Sequence, residues 1–412
     1  MRRFPCVVSL GGPSLVFALL CALGAKTAHA GSCDRPLVSA CVNSDTLWPS
    51  AGPTRFATIA GTQTTAPQQF SMGLVATYLQ RPIVLAVPSP GPTGSKQNAV
   101  SDQVNGNFLF GYGVTNRLAL HIALPVTFGQ AGSGTAAITG GEDLRDTALR
   151  DVRFGLALAL LAEPRSDAAV ATPDRAPALN GALTARLDVS APTGDRTQFA
   201  GERGGVFAPS LAFGATFGRF FGGGEAGARL RGVSQFSGAR VGTQLAFSLG
   251  LGASILPRDL LAASVEARVL PTLTEQSDTV QGATGLVSTP NGLTITPAEW
   301  MLALRTAPLM GGDFVVTGGG GTGLPLGGEA VTRPRLRFLL GVTYAPRAFD
   351  SDGDGVLDKD DACPGVAGIR TVPAELAAPG KTPPRKGCPL PRQEDGPPVD
   401  FTAPLGAPGK SP

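Results

Sequence analysis

The chain has 412 residues, of which 56 are glycine and 36 are proline, and only 16% are charged. This composition argues against a typical helical enzyme, because glycine and proline interrupt helices and mark the turns between strands. Residues 1–30 hold three of the 34 basic residues and none of the 31 acidic ones, so the rest of the chain carries 31 of each. A net charge near zero gives no reason to expect nucleic acid as a partner.

Residues 1–30 have the pattern of a secretory signal peptide. Two arginines precede an apolar run from Leu15 to Ala25, and Ala28-His29-Ala30 supplies the small residues of a cleavage site. We therefore expect export. Cys21 also allows a lipoprotein, but the bulky Leu20 before it stands where small residues are preferred.

Residues 31–69 are expected to form an N-terminal segment in the periplasm, ahead of the first strand. Four cysteines remain after the signal, and an even number in an exported chain predicts disulfides. Proximity in sequence favours the pairs Cys33–Cys41 and Cys363–Cys388. No later apolar stretch reaches the ~18 residues of a spanning helix, so a membrane-spanning form would have to use strands.

Apolar residues recur at every second position from residue 70 to residue 345, which predicts β-strands. The runs last about ten residues, the length that a tilted strand needs to cross a bilayer. About twelve such runs can be counted, and an even number predicts an all-β fold, a transmembrane antiparallel up-and-down β-barrel. The runs are roughly 70–84, 101–114, 117–129, 150–162, 179–192, 206–219, 225–236, 241–256, 260–273, 297–308, 313–321 and 334–345.

Alternation alone would also fit a secreted soluble β-protein, so the position of the charges decides between the two. In the clearest strands, charged residues such as Arg186, Asp188, Arg229 and Glu266 avoid the apolar face. An Arg or Lys that faces lipid at the bilayer midplane costs ~2–4 kcal/mol, whereas a lumen can pair and hydrate it. The charge pattern therefore favours a barrel in the outer membrane.

The connections between the runs alternate between short and long. Thr115-Asn116 is a tight connection, whereas 130–149 and 274–296 are long and polar; the linker 163–178 breaks the alternation. Short turns lie in the periplasm and long loops outside in barrels of this kind. We therefore expect both chain ends in the periplasm.

An acidic loop directly after the last run matches a twelve-position calcium loop. Calcium prefers six to eight oxygen ligands, Gly355 permits the sharp turn at position 6, and the carbonyl of residue 7 contributes. The Cys363-Pro364 pair follows the loop at once. The predicted ligands of Ca²⁺ are Asp350, Asp352, Asp354, Val356, Asp358 and Asp361.

The string D-x-D-x-D-G-x-x-D-x-x-D-x-C-P resembles a thrombospondin type 3 repeat, and Gly387-Cys388-Pro389 resembles its end. In exported proteins similar to the OmpA family, such a repeat follows the barrel and leads into a peptidoglycan-binding domain. The resemblance implies a periplasmic calcium-binding stalk over residues 346–389. Residues 390–412 are rich in proline and are expected to be disordered, so peptidoglycan binding does not carry over.

No enzyme is expected. His121 is the only histidine after the signal and belongs to the lumen-facing set of its strand, which favours a structural role. The glycine strings 222–224 and 318–321 lack the Lys-Ser/Thr of a phosphate loop and are expected to be turns or strand ends. The predicted function is structural or porin-like, with lipid, calcium and small solutes as partners. Adhesion through the long loops and a secreted soluble calcium-binding protein are the alternatives.

Overall fold

The computed structural model divides the chain into two units, residues 1–163 with 179–346 and residues 164–178 with 347–412. The structure describes residues 33, 39–87, 95–136, 141–162, 180–236, 238–256, 260–282, 285–306, 314–326, 331–345, 356, 361–363, 365–371 and 385–390. The predicted signal peptide and the tail 390–412, except Leu390, lie outside these residues. Within the described ranges there is no helix that could span a membrane.

Seventeen strands are formed by the described residues. They are β1 (Phe70–Val87), β2 (Ser95–Gly113), β3 (Leu118–Ala131), β4 (Ala148–Leu149), β5 (Arg153–Leu161), β6 (Asn180–Ser190), β7 (Val206–Phe217), β8 (Phe220–Arg229), β9 (Ser234–Phe236), β10 (Ala239–Val241), β11 (Gln244–Ser254), β12 (Leu261–Val269), β13 (Ser277–Gly282), β14 (Gly285–Pro290), β15 (Ala298–Thr306), β16 (Phe314–Leu324) and β17 (Leu336–Tyr344).

Twelve of the strands close into an antiparallel barrel, which confirms the predicted fold. Each wall strand pairs with the next wall strand along the chain, and β1 pairs with β17 to close the ring. Closure leaves no unpaired edge in the sheet, as a barrel in lipid requires. The short β4 is an additional strand beside β3, while β9–β10 and β13–β14 form hairpins of their own.

The wall strands lie close to the predicted runs, with one instructive difference. The run expected at 225–236 is strand β8, which begins at Phe220 and ends at Arg229. Gly222 to Gly224 therefore lie inside the wall, paired with β7 and β11, and Gly318 to Gly321 lie inside β16. Glycines in these strands weaken the periodic signal because they place no side chain on either face.

The two faces of the wall differ as a membrane barrel requires. Large apolar side chains on the outer face are exposed, for example Leu249, Leu304 and Phe338, at 58%, 51% and 53%. On the inner face, charged side chains such as Glu266 and Arg337 are buried at 1% exposure each. This is the reverse of a soluble protein, where an apolar surface of this extent is rare.

The barrel has two unlike ends. We call one the short-turn end, because residues 114–117 and 218–219 join neighbouring wall strands there within a few residues. We call the other the long-loop end. It carries the connection 191–205 between β6 and β7 and the two hairpins β9–β10 and β13–β14.

Candidate functional site

The lumen of the barrel is occupied by the chain's own N-terminal segment, residues 39–66, which we call the plug. At the long-loop end, Ser39 N donates to Gln235 O at 2.9 Å. Ser44 Oγ donates to Gln103 Oε1 of β2 at 2.7 Å. Beyond the other end of the plug, Gln68 N donates to Gly113 O at 2.6 Å, beside a short turn. The segment therefore runs the length of the lumen.

Asp45 is the centre of the polar network that holds the plug. Its Oδ1 lies 2.7 Å from Arg337 Nη1 of β17, and its Oδ2 accepts from Thr77 and Asn105, each at 3.0 Å. Arg337 also lies 2.7 Å from Glu299 Oε2 of β15. Asp45 and Arg337 are 3% and 1% exposed, so both charges depend on each other and on their hydrogen bonds for compensation.

The residues after Asp45 reach the opposite wall. Thr46 O accepts from Arg229 of β8 at 2.8 Å and from Arg268 of β12 at 2.7 Å. The Trp48 ring lies between two guanidinium groups, with Arg229 Cζ at 4.5 Å and Arg153 Cζ at 5.1 Å from its centroid. Cation–π contacts of this kind gain strength where the cation is desolvated.

The second half of the plug binds carboxylates of the wall through its backbone. Glu266 accepts from Ala57 N at 2.9 Å and from Thr58 N at 2.7 Å. Glu225 accepts a longer bond from Ala60 N at 3.4 Å, and Thr62 O accepts from Thr184 Oγ1 at 2.6 Å. Glu266, which a strand-by-strand view pairs with Arg268, is thus compensated by the backbone of the plug.

These contacts correct the expectation of a separate periplasmic segment at residues 31–69, because the described residues of that range pack inside the barrel from residue 39 onward. They also separate the two ends of the described barrel unit. Cys33 is joined by a disulfide to Cys41 near the long-loop end, whereas Tyr344 ends β17 at the short-turn end. Cys33 and Tyr344 therefore lie at opposite ends of the barrel. The loop pattern alone had predicted that both chain ends lie on the same side.

The long-loop end of the lumen is covered by an apolar cluster. It joins the plug to inward-folded loops, since Phe199 of the connection 191–205 is fully buried and meets Phe236 edge-on at 5.6 Å. Ser44 N donates to Phe199 O at 3.0 Å. The cluster consists of Val42, Ile83, Ala99, Val100, Phe199, Phe236, Val241 and Val331.

Asp151 fixes the connection 191–205 in this position. Its side chain is 2% exposed and accepts from Gly194 N at 2.8 Å and from Glu202 N at 2.7 Å. Burial raises the pKa of Asp151 to about 6 despite these hydrogen bonds. Glu202 in turn lies 2.5 Å from Arg231 Nη1. The covering loop thus depends on two buried carboxylates.

Three small cavities adjoin the plug among the described residues of the lumen. A cavity of about 50 Å³ adjoins Trp48, Arg186 and Arg229, and two of about 10 Å³ lie near Asp45 and Arg337. A single water needs roughly 10–15 Å³ measured in this way. The cavities hold a few waters and are too small for a sugar or an amino acid.

His121 lies in the lumen, where its Nε2 is 2.6 Å from Asp188 Oδ1. The position agrees with the lumen face predicted for it. Gly155 stands beside the pair, and a Cβ at that residue would lie 2.1 Å from the imidazole. Glycine in β5 therefore makes room for this contact.

The second unit is described only in part. The disulfide Cys363–Cys388 is formed, as is Cys33–Cys41 in the first unit, and both were predicted. Asp361 Oδ1 accepts from Cys363 N at 2.7 Å, while its buried Oδ2 has no hydrogen-bond partner. Val356 is 2% exposed.

The other predicted calcium ligands, Asp350, Asp352, Asp354 and Asp358, lie outside the described residues. Within the described ranges no group of three acidic, cysteine or histidine side chains is arranged to hold a metal. A buried carboxylate oxygen without a donor is nevertheless the kind of atom that a cation would satisfy. Asp361 thus fits the predicted site.

No family model matches the chain, and no curated protein does. Among solved structures, an outer-membrane channel from Pseudomonas putida F1 is 15% identical, with a TM-score of 0.45 over 69% of this chain and 98% of that one. The Ralstonia pickettii toluene transporter TbuX is 11% identical, with a TM-score of 0.31 over 68% and 89%. The translocator domain of the Neisseria meningitidis autotransporter NalP is 11% identical, with a TM-score of 0.30 over 67% and 88%. The likeness is loose, and no function is carried over from it.

Proposed function

We propose that this protein is a porin-like barrel of the bacterial outer membrane, and that the plug closes its passage for small solutes. The observation that carries the proposal is the set of ion pairs and hydrogen bonds between plug and wall, which accompanies apolar contacts at Leu47, Phe56 and Ile59. A segment bound through ion pairs and hydrogen bonds can exchange its partners for water, whereas an apolar core cannot. The plug is joined to the wall covalently only through the chain itself, at β1.

The location follows from the exposed apolar belt on the outer face together with the closed ring of twelve strands. Long loops of such barrels face outward and short turns face the periplasm. We therefore place the long-loop end outside the cell, with the plug entering from the short-turn end at β1. In that orientation the end of β17 faces the periplasm, where the second unit would follow.

Removal of residues 39–66 tests the proposed gate. In planar bilayers the complete protein is expected to conduct weakly and with closures, and the deletion variant is expected to conduct steadily. Heat-modifiable migration on a gel confirms that each variant has folded into a barrel. If folded deletion variants stay silent over many insertions, the barrel is a closed scaffold and the channel proposal is wrong.

We further propose that residues 350–361 bind Ca²⁺ and stiffen a periplasmic stalk closed by the disulfide Cys363–Cys388. Calcium added to the complete protein should protect this region from proteolysis, and Asp352→Ala with Asp354→Ala should abolish the protection. Asp400→Ala, in the proline-rich tail, is the matched control. Equal cleavage with and without calcium would contradict the metal site and leave the channel proposal unaffected.

A further inference from the structure

Four buried arginines of the lumen lack an acidic partner among the described residues; Arg150 has four hydrogen bonds to neutral oxygens instead, whereas the other three have one each. Arg153, Arg186 and Arg229 are 4%, 6% and 8% exposed, yet no carboxylate of the described chain lies within 4.0 Å of any of them. Each donates one hydrogen bond to a neutral oxygen: to Asn107 Oδ1 at 2.9 Å, to Gly61 O at 3.5 Å and to Thr46 O at 2.8 Å, respectively.

These arginines differ from others in the same lumen. Arg337 meets two carboxylates and Arg268 meets one, as expected where burial removes a charge from water. A guanidinium group has five N–H donors, so a single hydrogen bond leaves most of them unused. Arg153 Nε, moreover, is buried without any partner. Buried cations with free donors call for an anion that the protein itself does not supply.

A cavity adjoins two of these three arginines, while Arg153 lines a separate cavity of about 10 Å³. Arg186 and Arg229 line the cavity of about 50 Å³, and Trp48, stacked on Arg229, forms part of its wall. Small side chains such as Ala208 and Ser248 line it as well, together with Asp188, Glu225 and Arg268. The space holds several waters or one small ion.

The two carboxylates of this cavity leave the arginines in excess. Asp188 is engaged by His121 at 2.6 Å. Glu225 accepts from Ser210 Oγ at 2.7 Å and from Ala60 N at 3.4 Å, and within the described chain no cation lies within 4.0 Å of it. Glu225 therefore offsets part of the positive charge of Arg229, and Asp188 offsets part of that of Arg186 and Arg153, but neither carboxylate bonds directly to these guanidinium groups.

We propose that this cavity is a binding site for a small monovalent anion, such as chloride or a short carboxylate, held by Arg186 and Arg229 beside Trp48. Charge-assisted hydrogen bonds from guanidinium groups are about twice as strong as neutral ones, and they suit such ligands. The anion completes the polar contact between plug and wall beside these arginines. The proposal does not require that the barrel conducts.

Trp48 reports directly on the site. The chain has two tryptophans, so Trp300→Phe leaves Trp48 as the only indole. Iodide added to this variant in detergent, at constant ionic strength, is expected to quench Trp48 saturably, and acetate or chloride should compete. Replacing both arginines, Arg186→Gln with Arg229→Gln, should weaken the apparent affinity at least about tenfold.

Two further variants separate binding from folding. Arg117→Gln changes an exposed arginine near a short turn and should leave the titration unchanged. Arg186→Lys with Arg229→Lys keeps both charges and should retain part of the binding, while heat-modifiable migration shows that every variant is folded. A linear, unsaturable response in the folded parent, or equal affinity in the glutamine variant, would overturn the proposal. The absence of conductance in a bilayer recording would not contradict the anion site.

Discussion

The wall and the plug of this barrel differ in the interactions that hold them in place. The wall is a regular hydrogen-bonded ladder whose side chains alternate between lipid and lumen, so its position in the membrane depends on apolar area. The plug has no strand of its own before β1 in the described chain, and it is held by ion pairs, single hydrogen bonds and a few buried apolar side chains such as Leu47 and Phe56. The contrast indicates that the wall can persist while the plug changes place.

Asp45→Ala is expected to have the largest effect on the stability of the plug relative to that of the wall. The change removes the plug's bond to Arg337, leaves Thr77 Oγ1 without its acceptor and removes one of the two acceptors of Asn105 Nδ2. Loss of one partner from a buried ion pair costs about 3–5 kcal/mol, which should release the plug and leave the wall intact. Hydrogen exchange should accelerate over residues 39–66 and remain slow in the wall strands.

Asp146→Ala is the control for this change, because Asp146 is exposed. It should leave exchange at its original rate throughout. If exchange over residues 39–66 does not change in Asp45→Ala, the plug is held mainly by the apolar cluster at the long-loop end rather than by the ion pair.

A smaller effect is expected when a charge is placed on the wall's outer face. Leu249→Arg puts a cation near the middle of β11, where a lipid-facing arginine costs ~2–4 kcal/mol. Leu293→Arg is the matched control, since Leu293 is 65% exposed but follows the hairpin β13–β14 at the long-loop end. Denaturant unfolding in lipid vesicles should separate the two variants.

The wall was predictable because every one of its strands repeats the same alternation of large apolar and small or polar residues. Leu249 and Leu251 alternate with Gly250 and Gly252, and a bilayer requires this period of two over about ten residues. The start of β8 was missed since Gly222 to Gly224 carry no side chains to show the period. Strands β9, β10, β13 and β14 are short and polar, which makes them hard to distinguish from loop.

The plug could not be predicted in the same way. Asp45, Thr46 and Trp48 show no period, and their partners come from several strands, among them β17, β12, β8 and β5. One signal was present: Arg229 and Arg231 are two like charges on the lumen face of one run. A polar segment next to a charged lumen was therefore a candidate to fill it. The calcium ligands rest on one dense motif, of which Asp361 and Val356 are described.

The smallest effect is expected from pH, at the loop that covers the plug. Burial raises the pKa of Asp151 to about 6 from its ordinary value of 3.8. Between these two pH values, Asp151 is protonated in the folded protein and ionised in the unfolded chain. The stability that this proton provides is complete below about pH 3.8 and is lost as the pH rises through about 6. Amide hydrogen exchange of residues 191–205 should be slower at pH 5 than at pH 7.5, after correction for the pH dependence of the intrinsic exchange rate. Asp151→Asn should remove this difference, while the exposed Asp143→Asn should keep it; an unaltered pH dependence in Asp151→Asn would assign it to another group.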